Sequence, residues 1–283
     1  SDVKRLVSNL ENDNIDALVI DLRNNGGGHL TEATALTGLF IDNGPVVQLR
    51  NANGRISRLD DPDPVPRSAY NGPLIVLVNR YSASASEIFA AAIQDYERGV
   101  VVGQQTYGKG TVQNLYALDQ YVRRNQDELG QLTLTIGKYY RVTGESTQNR
   151  GVIPDIELPS YIDIDNTGES SRDTALPWDK IKPSRYKKNQ SMEDSINQLR
   201  ELHTERRKTD PELIFLLKDI EESLQYRNQT TVSLNLNKRI SEREAREERK
   251  EVIDKIRIKT DNNDEAKEEN ENRDINLSET AAI

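Results

Sequence analysis

The residues best suited to chemistry lie between Tyr81 and Gln113. Ser82, Ser84 and Ser86 alternate with alanines at what reads as a helix start, and Lys109 stands between Gly108 and Gly110. The stretch has neither histidine nor cysteine. Gly103-x-x-x-x-Gly108-Lys109 follows a strand-like run and comes close to a phosphate-binding loop. Gly110, however, stands where a hydroxyl would hold magnesium, and TVQNLYAL reads as strand rather than helix, so nucleotide binding is not expected. Upstream, Gly26, Gly27 and Gly28 leave backbone N–H groups unobstructed ahead of a helix. That pattern suits an anion or an oxyanion, and serves equally as a tight turn.

Ser84-Ala-Ser-Glu87 is itself a capping box, so the residues alone leave Ser84 open as a helix cap or a reactive hydroxyl. Ser82 and Ser86 read equally well as loop and cap residues. Asp95 falls near the end of the same helix, on the unfavourable side of its dipole, which calls for a specific partner. His29 directly follows the glycines and reads as a polar loop residue rather than a separately oriented base. His203 sits in a highly charged helical stretch and is expected at the surface.

The elements that must position these residues follow from periodicity. Val3, Leu6, Val7 and Leu10 form a helical stripe. Ile15 to Leu22 is an apolar run of strand length, followed by DLRNNGGG and an amphipathic Leu30 to Ile41, the strand–glycine loop–helix unit of parallel α/β sheets. Pro45 to Leu49 reads as a short strand, and Asp60 to Pro66 as an exposed proline-rich loop. Pro73 to Val78 is a second buried strand, feeding straight into the serine cluster and a helix to about Glu97. Val100 to Val102 and Leu132 to Val142 are further strands. Beyond GVIPDIELP the chain turns polar and loop-rich through about 190, with its single tryptophan in ALPWDKI.

Asp210, Pro211 and Glu212 then provide an N-cap, a first-turn proline and an early acid. Leu213, Leu216, Leu217, Ile220 and Leu224 give the helix that follows an apolar face. Thr231 to Leu236 alternates like a strand. Ser241 and Glu244 form a capping box for a charged helix to about Ile258, and Asp261 to Glu271 reads as a flexible linker. The division expected is an α/β domain over 1–159 and a helical, charged region over 160–283.

Composition narrows the function classes. The chain has 283 residues, a net charge of -9, no cysteine and two histidines. A general nucleic-acid binder needs clustered cations, which this acidic chain does not offer. A thiolate or zinc site is not expected, and the absence of cysteine fits an oxidising compartment. Runs such as Leu74 to Val78 are too short to cross a bilayer.

Taken in order, DLRNNGGG, SASASEI, YGKGTVQ and GVIPDIELP resemble the C-terminal processing peptidases, in their tail-specific protease branch. The resemblance implies an α/β fold, a crotonase-like serine peptidase core present in part, followed by a mainly helical C-terminal domain. By the same resemblance Ser84 is the nucleophile, Lys109 the general base and Gln113 the polar partner that orients it. The N–H groups of Ala85 and of a glycine in Gly26–Gly28 form the oxyanion hole. Gly27 is favoured, because Gly26 stands where relatives often carry another residue. Asp95 matches an acidic position with a supporting role. A lysine accepts a proton only when neutral, a state that burial favours, and Gly108 and Gly110 are expected to let its surroundings close over it.

The implied activity is ATP-independent endoproteolysis, without cofactor or metal, of proteins with unstructured apolar C-terminal tails. A bacterial periplasmic location and an adaptor lipoprotein partner are implied as well, with no nucleic acid. The alternative is a catalytically silent peptide-binding scaffold of the same fold. Relatives carry a PDZ domain and further core strands upstream and continue a final helix. The chain is therefore expected to be the C-terminal portion of a longer enzyme, with little peptidase activity on its own.

Overall fold

The computed structural model describes residues 2–63, 68–121, 129–245, 247 and 274–283. The chain forms two compact units, one of residues 1–157 with 162–193, the other of 158–161 with 194–283.

The first unit is built on two four-stranded sheets. In one, β1 (Leu18–Asp21), β4 (Leu74–Val78), β5 (Val100–Gly103) and β8 (Ile156–Glu157) lie parallel in that spatial order. Parallel strands covered on both faces need continuous apolar runs, which LIVLV and VVV supply. In the other, β3 (Ile56–Asp60), β2 (Pro45–Asn51), β7 (Gln131–Tyr140) and β6 (Thr111–Ala117) are antiparallel. Helix α1 (Asp2–Asn12) opens the chain, and α2 (Leu30–Thr37) follows the glycine loop.

Helix α3 (Ala85–Asp95) connects β4 to β5 and is buried nearly all round. Phe89, Ala90 and Ile93 pack with Leu74, Val76, Val78 and Val101 of the parallel sheet. Ile88, Ala92 and Tyr96 pack with Val46, Val47 and Tyr139 of the antiparallel sheet. A helix held between two sheets must be apolar on every side, and its run of alanines allows the close approach. Its N-terminus therefore emerges at the carboxyl end of β4, which is where Ser84 sits.

Strand β3 was not anticipated. It pairs with β2 through a turn in which Gly54 has φ +81 and Asn51 N–H donates to Arg55 C=O. Asp60 closes that strand instead of opening a loop. Residues 61–63 lie outside any strand, and 64–67 fall outside the described residues.

In the second unit, α4 (Glu193–Thr209) and α5 (Pro211–Arg227) are joined at Asp210, whose carboxylate accepts from Glu212 and Leu213 N–H at 2.8 and 3.2 Å. Of the expected apolar face Leu213, Leu216 and Ile220 are buried and Leu217 is half-buried, while Leu224, near the helix end, is exposed. His203, expected at the surface, is 4% exposed, with Nδ1 at 2.6 Å from Glu279 Oε1 of the Ile275–Ala282 helix. Arg206 pairs with the same carboxylate. A charged helix buries a polar side chain when a second helix brings the matching charge, and local sequence does not announce that.

The alternating Thr231 to Leu236 run forms no strand. No strand pairs with it among the described residues, Leu234 is fully exposed, and a helix occupies 236–245. Asn235 Oδ1 takes Lys238 N–H at its start, so Ser241, whose Oγ donates to Lys238 C=O, lies inside that helix and does not cap it. The expected continuation to Ile258 and the linker at 261–271 lie outside the described residues. Among the described residues no helix is long and apolar enough to cross a membrane.

Candidate active site

The three alternating serines have separate roles. Ser82 is fully buried and donates to Leu22 C=O at 2.8 Å, while its oxygen accepts Asn79 N–H. Ser86 donates to Asn25 C=O at 3.0 Å. Both hold the glycine loop against the turn that follows β4. Ser84, between them, is half-buried and faces a cavity of about 620 Å³. Its backbone, at φ +58 and ψ -112, lies in a region non-glycine residues rarely occupy, a conformation that costs about 1–3 kcal/mol and turns the side chain sharply away from the strand.

The capping box is present, and its acid does more than cap. Glu87 is fully buried, and its carboxylate accepts from Ser84 N–H at 2.8 Å, Thr106 Oγ1 at 2.6 Å, Gly108 N–H at 2.7 Å and Lys109 N–H at 3.0 Å. One carboxylate thus joins the serine turn to the lysine loop across more than twenty residues of sequence. Burial pushes it from 4.5 up to about 7, the larger influence, against the pull of these four donors.

The lysine loop, Thr106–Gly110, has no regular structure, so its backbone groups need partners elsewhere. All ten have one. Thr106 and Tyr107 N–H donate to Val152 and Ser82 C=O, Gly108 and Lys109 N–H to Glu87, and Gly110 N–H to Gln148 Oε1. The carbonyls of 106 to 110 accept in turn from the Arg80 guanidinium, Glu169 N–H, Asn149 N–H, Tyr139 OH and Tyr139 N–H.

Gly108 and Gly110 were expected to let the surroundings of the lysine close over it, but Lys109 stays half-buried. A Cβ on either would strike the backbone of Asn149 or Gln148 at 2.6–2.9 Å, so the glycines admit that neighbouring chain. Lys109 is half-buried on the cavity wall, and among the described residues its amine makes no hydrogen bond or ion pair.

Gln113 reaches the same wall through a β-bulge. The register with β7 shifts between Val112 and Gln113, setting Gln113 opposite Thr135 and so on the face that carries Tyr139. Without the extra residue the side chain would point to the other face. Ala85 and Gly28 also line the cavity. Ala85 is the first residue of α3, where an N–H has no intrahelical acceptor.

Gly27, the favoured oxyanion donor, gives its N–H to Asn25 Oδ1 at 3.0 Å, and of the three glycines it is Gly28 that lines the same cavity as Ser84. The service of Gly27 is steric. At φ +101, a Cβ there would meet Ala83 O at 2.7 Å and Ser84 Cβ at 2.8 Å. Gly27→Ala is accordingly expected to destabilise the fold by about 1–3 kcal/mol, and Gly26→Ala, with open space around it, by less than about 0.5 kcal/mol. Denaturant unfolding of the two variants checks the contrast.

Asp95 is not on the cavity wall. It lies at the far end of α3, about 16 Å along the axis, where it is buried and paired with Arg141 at 2.5 Å. Burial pushes its carboxyl above the usual range, and Arg141 draws it back. This is the partner its place on the helix dipole called for, and it anchors the chain after β7. Glu87, Tyr139, Gln148 and Arg80 were not singled out as site residues from sequence. Only Glu87 left a trace, as the acid of the capping box that opens α3.

Residues 1–158 match the model of Peptidase family S41, and 162–283 the model described as C-terminal domain of tail specific protease. The chain belongs to Peptidase family S41. It is 48% identical over 244 residues to the tail-specific protease of Haemophilus influenzae, an alignment covering 85% of this chain and 35% of that protein. It is 37% identical over 155 residues to a carboxy-terminal-processing protease of Bartonella bacilliformis, covering 54% of this chain and 33% of the relative. The chain thus spans about a third of the length of these relatives. Among solved structures it resembles a photosystem II D1 C-terminal processing protease, with 30% identity, a TM-score of 0.48, and 58% and 40% of the two chains covered.

Proposed function

We propose that the complete protein is an ATP-independent serine endopeptidase using Ser84 and Lys109, acting on proteins with unstructured apolar C-terminal tails. The observation that carries the reading is the common cavity wall of Ser84, Ala85, Lys109 and Gln113, with the two backbones that bear the dyad joined by Glu87. Neutral Lys109 takes the proton of Ser84 Oγ as that oxygen adds to a peptide carbonyl. The N–H groups of Ala85 and Gly28 receive the developing oxyanion. Lys109 then returns the proton to the leaving amine, leaving an acyl-enzyme that water hydrolyses by the same steps. Gln113 orients the amine through its side-chain carbonyl.

The tail preference draws on the name of the Haemophilus relative. The test is a folded protein ending in unstructured apolar residues, offered to the complete enzyme without ATP beside a copy ending in charged residues. The apolar tail should direct cleavage at least roughly tenfold faster, and Ser84→Ala should give none. Equal rates would remove tail recognition; cleavage by Ser84→Ala would remove the nucleophile. Tight binding without turnover would favour the scaffold. A periplasmic location and an adaptor lipoprotein belong to the same reading and come from the family resemblance; the absence of cysteine fits an oxidising compartment. Cell fractionation and co-purification test them, and a cytoplasmic enzyme isolated alone would remove both.

A further inference from the structure

The turn at Gly168–Glu169 lies outside the residues matched to the peptidase family and inside those matched to the C-terminal domain, yet it belongs to the first compact unit. It grips the lysine loop on both sides of Lys109. Ahead of the lysine, Glu169 N–H donates to Tyr107 C=O at 2.9 Å. Behind it, Glu169 Oε1 accepts from Gln148 Nε2 at 3.2 Å, and Gln148 Oε1, on a fully buried side chain, accepts Gly110 N–H at 2.8 Å.

Arg80 makes the third connection. It is 1% exposed, bonds Thr106 C=O with one nitrogen, and bonds Thr167 C=O, Ile164 C=O and Ser170 Oγ with the others, at 2.6, 3.1 and 3.1 Å. Gly168 is what allows the approach. It has φ +113, and a Cβ there would lie 2.6 Å from Arg80 Nη2 and 2.8 Å from Tyr107 O.

We propose that the Gly168–Glu169 turn is a positioning element for Lys109, so that a segment beyond the peptidase-family match sets the placement of the base. The turn touches neither the cavity nor Ser84. It acts by fixing the carbonyl of residue 107 and, through Gln148, the N–H of residue 110. Between these two points the loop carries its amine without any side-chain partner among the described residues. Removing the Glu169 carboxylate leaves the Gln148 amide with only Asn149 Oδ1 at 3.4 Å, and a Cβ on Gly168 drives the turn off Tyr107 C=O and Arg80, so in either case the loop must shift. The inference rests on the assignment of Lys109 as base.

The experiment uses the complete protein, with kcat, KM and the pH profile of kcat/KM measured on a tail-bearing substrate. Gly168→Ala should lower kcat on the order of 100-fold, the scale of an ångström's misplacement, with KM within about threefold. The acid limb of the profile should move by at least about half a pH unit. Glu169→Ala should lower kcat less and shift the same limb, while Glu169→Gln, which keeps an acceptor for the Gln148 amide, should restore both. If Gly168→Ala loses its cooperative melt, the Glu169 pair decides. Wild-type kcat and pH profile in Glu169→Ala, or a change in KM alone, would overturn the positioning role. Ser84→Ala and Lys109→Ala run alongside: cleavage by either sinks the dyad itself. If both are silent and the turn variants stay normal, the turn proposal alone fails.

Discussion

Alanine in place of Lys109 is expected to lower kcat of the complete protein by roughly 10⁴-fold, while stability changes by no more than about 0.5 kcal/mol. The two parts of that expectation have separate grounds. The catalytic part follows from the place of Lys109 on the cavity wall that Ser84 also lines; His29 lines it too, as an exposed residue directly after the glycines. The structural part follows from how the loop is held. Every backbone group from Thr106 to Gly110 has a partner, and the lysine amine has none among the described residues, so truncation orphans nothing. Lys109→Arg sharpens the test. Arginine keeps the charge but does not release its proton near neutral pH, so a base role predicts that this variant is as inactive as alanine. Steady-state cleavage with a parallel thermal melt measures both. Activity retained by arginine would mean that the residue serves through its charge.

Glu87→Ala is expected to cost more than about 4 kcal/mol, because it strands one buried and two part-buried N–H groups and a buried hydroxyl at about 1–3 kcal/mol each and opens a cavity besides. Glu87→Gln, which keeps the shape, is the variant for activity, and its kcat should fall on the order of 100-fold as the serine turn and lysine loop lose their common anchor. The pH dependence has a definite sign. The folded carboxyl sits at about 7 against 4.5 in the unfolded chain, so its contribution is fully present below about pH 4.5 and is lost as pH rises through 7. That difference is worth about 3 kcal/mol. Measured by denaturant unfolding, the stability gap between wild type and Glu87→Gln should move by that amount in favour of glutamine between pH 4.5 and 8. A constant gap would mean that the four donors outweigh burial and keep the carboxylate charged throughout.

Much of this arrangement was legible in the linear pattern. The apolar run before the serines is β4, the capping signature opens α3, TVQNLYAL is strand β6 as its departure from a phosphate loop required, and Asp210 caps α5. These are local statements, decided within one or two turns of chain. The same local reasoning failed where a partner was needed. Thr231–Leu236 alternates, but alternation makes a strand only beside another strand, and the chain supplies none there among the described residues. His203 was expected at the surface because its own helix is charged, and it is buried because the Ile275–Ala282 helix brings Glu279 to it.

The same division runs through the candidate site. The sequence by itself offered a serine cluster at a helix start and a lysine between two glycines, and the family resemblance of its motifs singled out Ser84 and Lys109. It also determined that a helix, α3, would begin at the serines. Only the tertiary structure decided that Ser82 and Ser86 are structural and that Glu87 joins the two loops. It alone turned Gln113 to the cavity through a single bulge, placed Gly28 rather than Gly27 on the wall, and took Asp95 away to Arg141. The physical reason is range. Propensity, capping and periodicity act between residues a few positions apart, whereas the partners of a buried carboxylate or an irregular loop come from segments twenty to sixty residues away. Those partners exist only once both sheets have closed on α3.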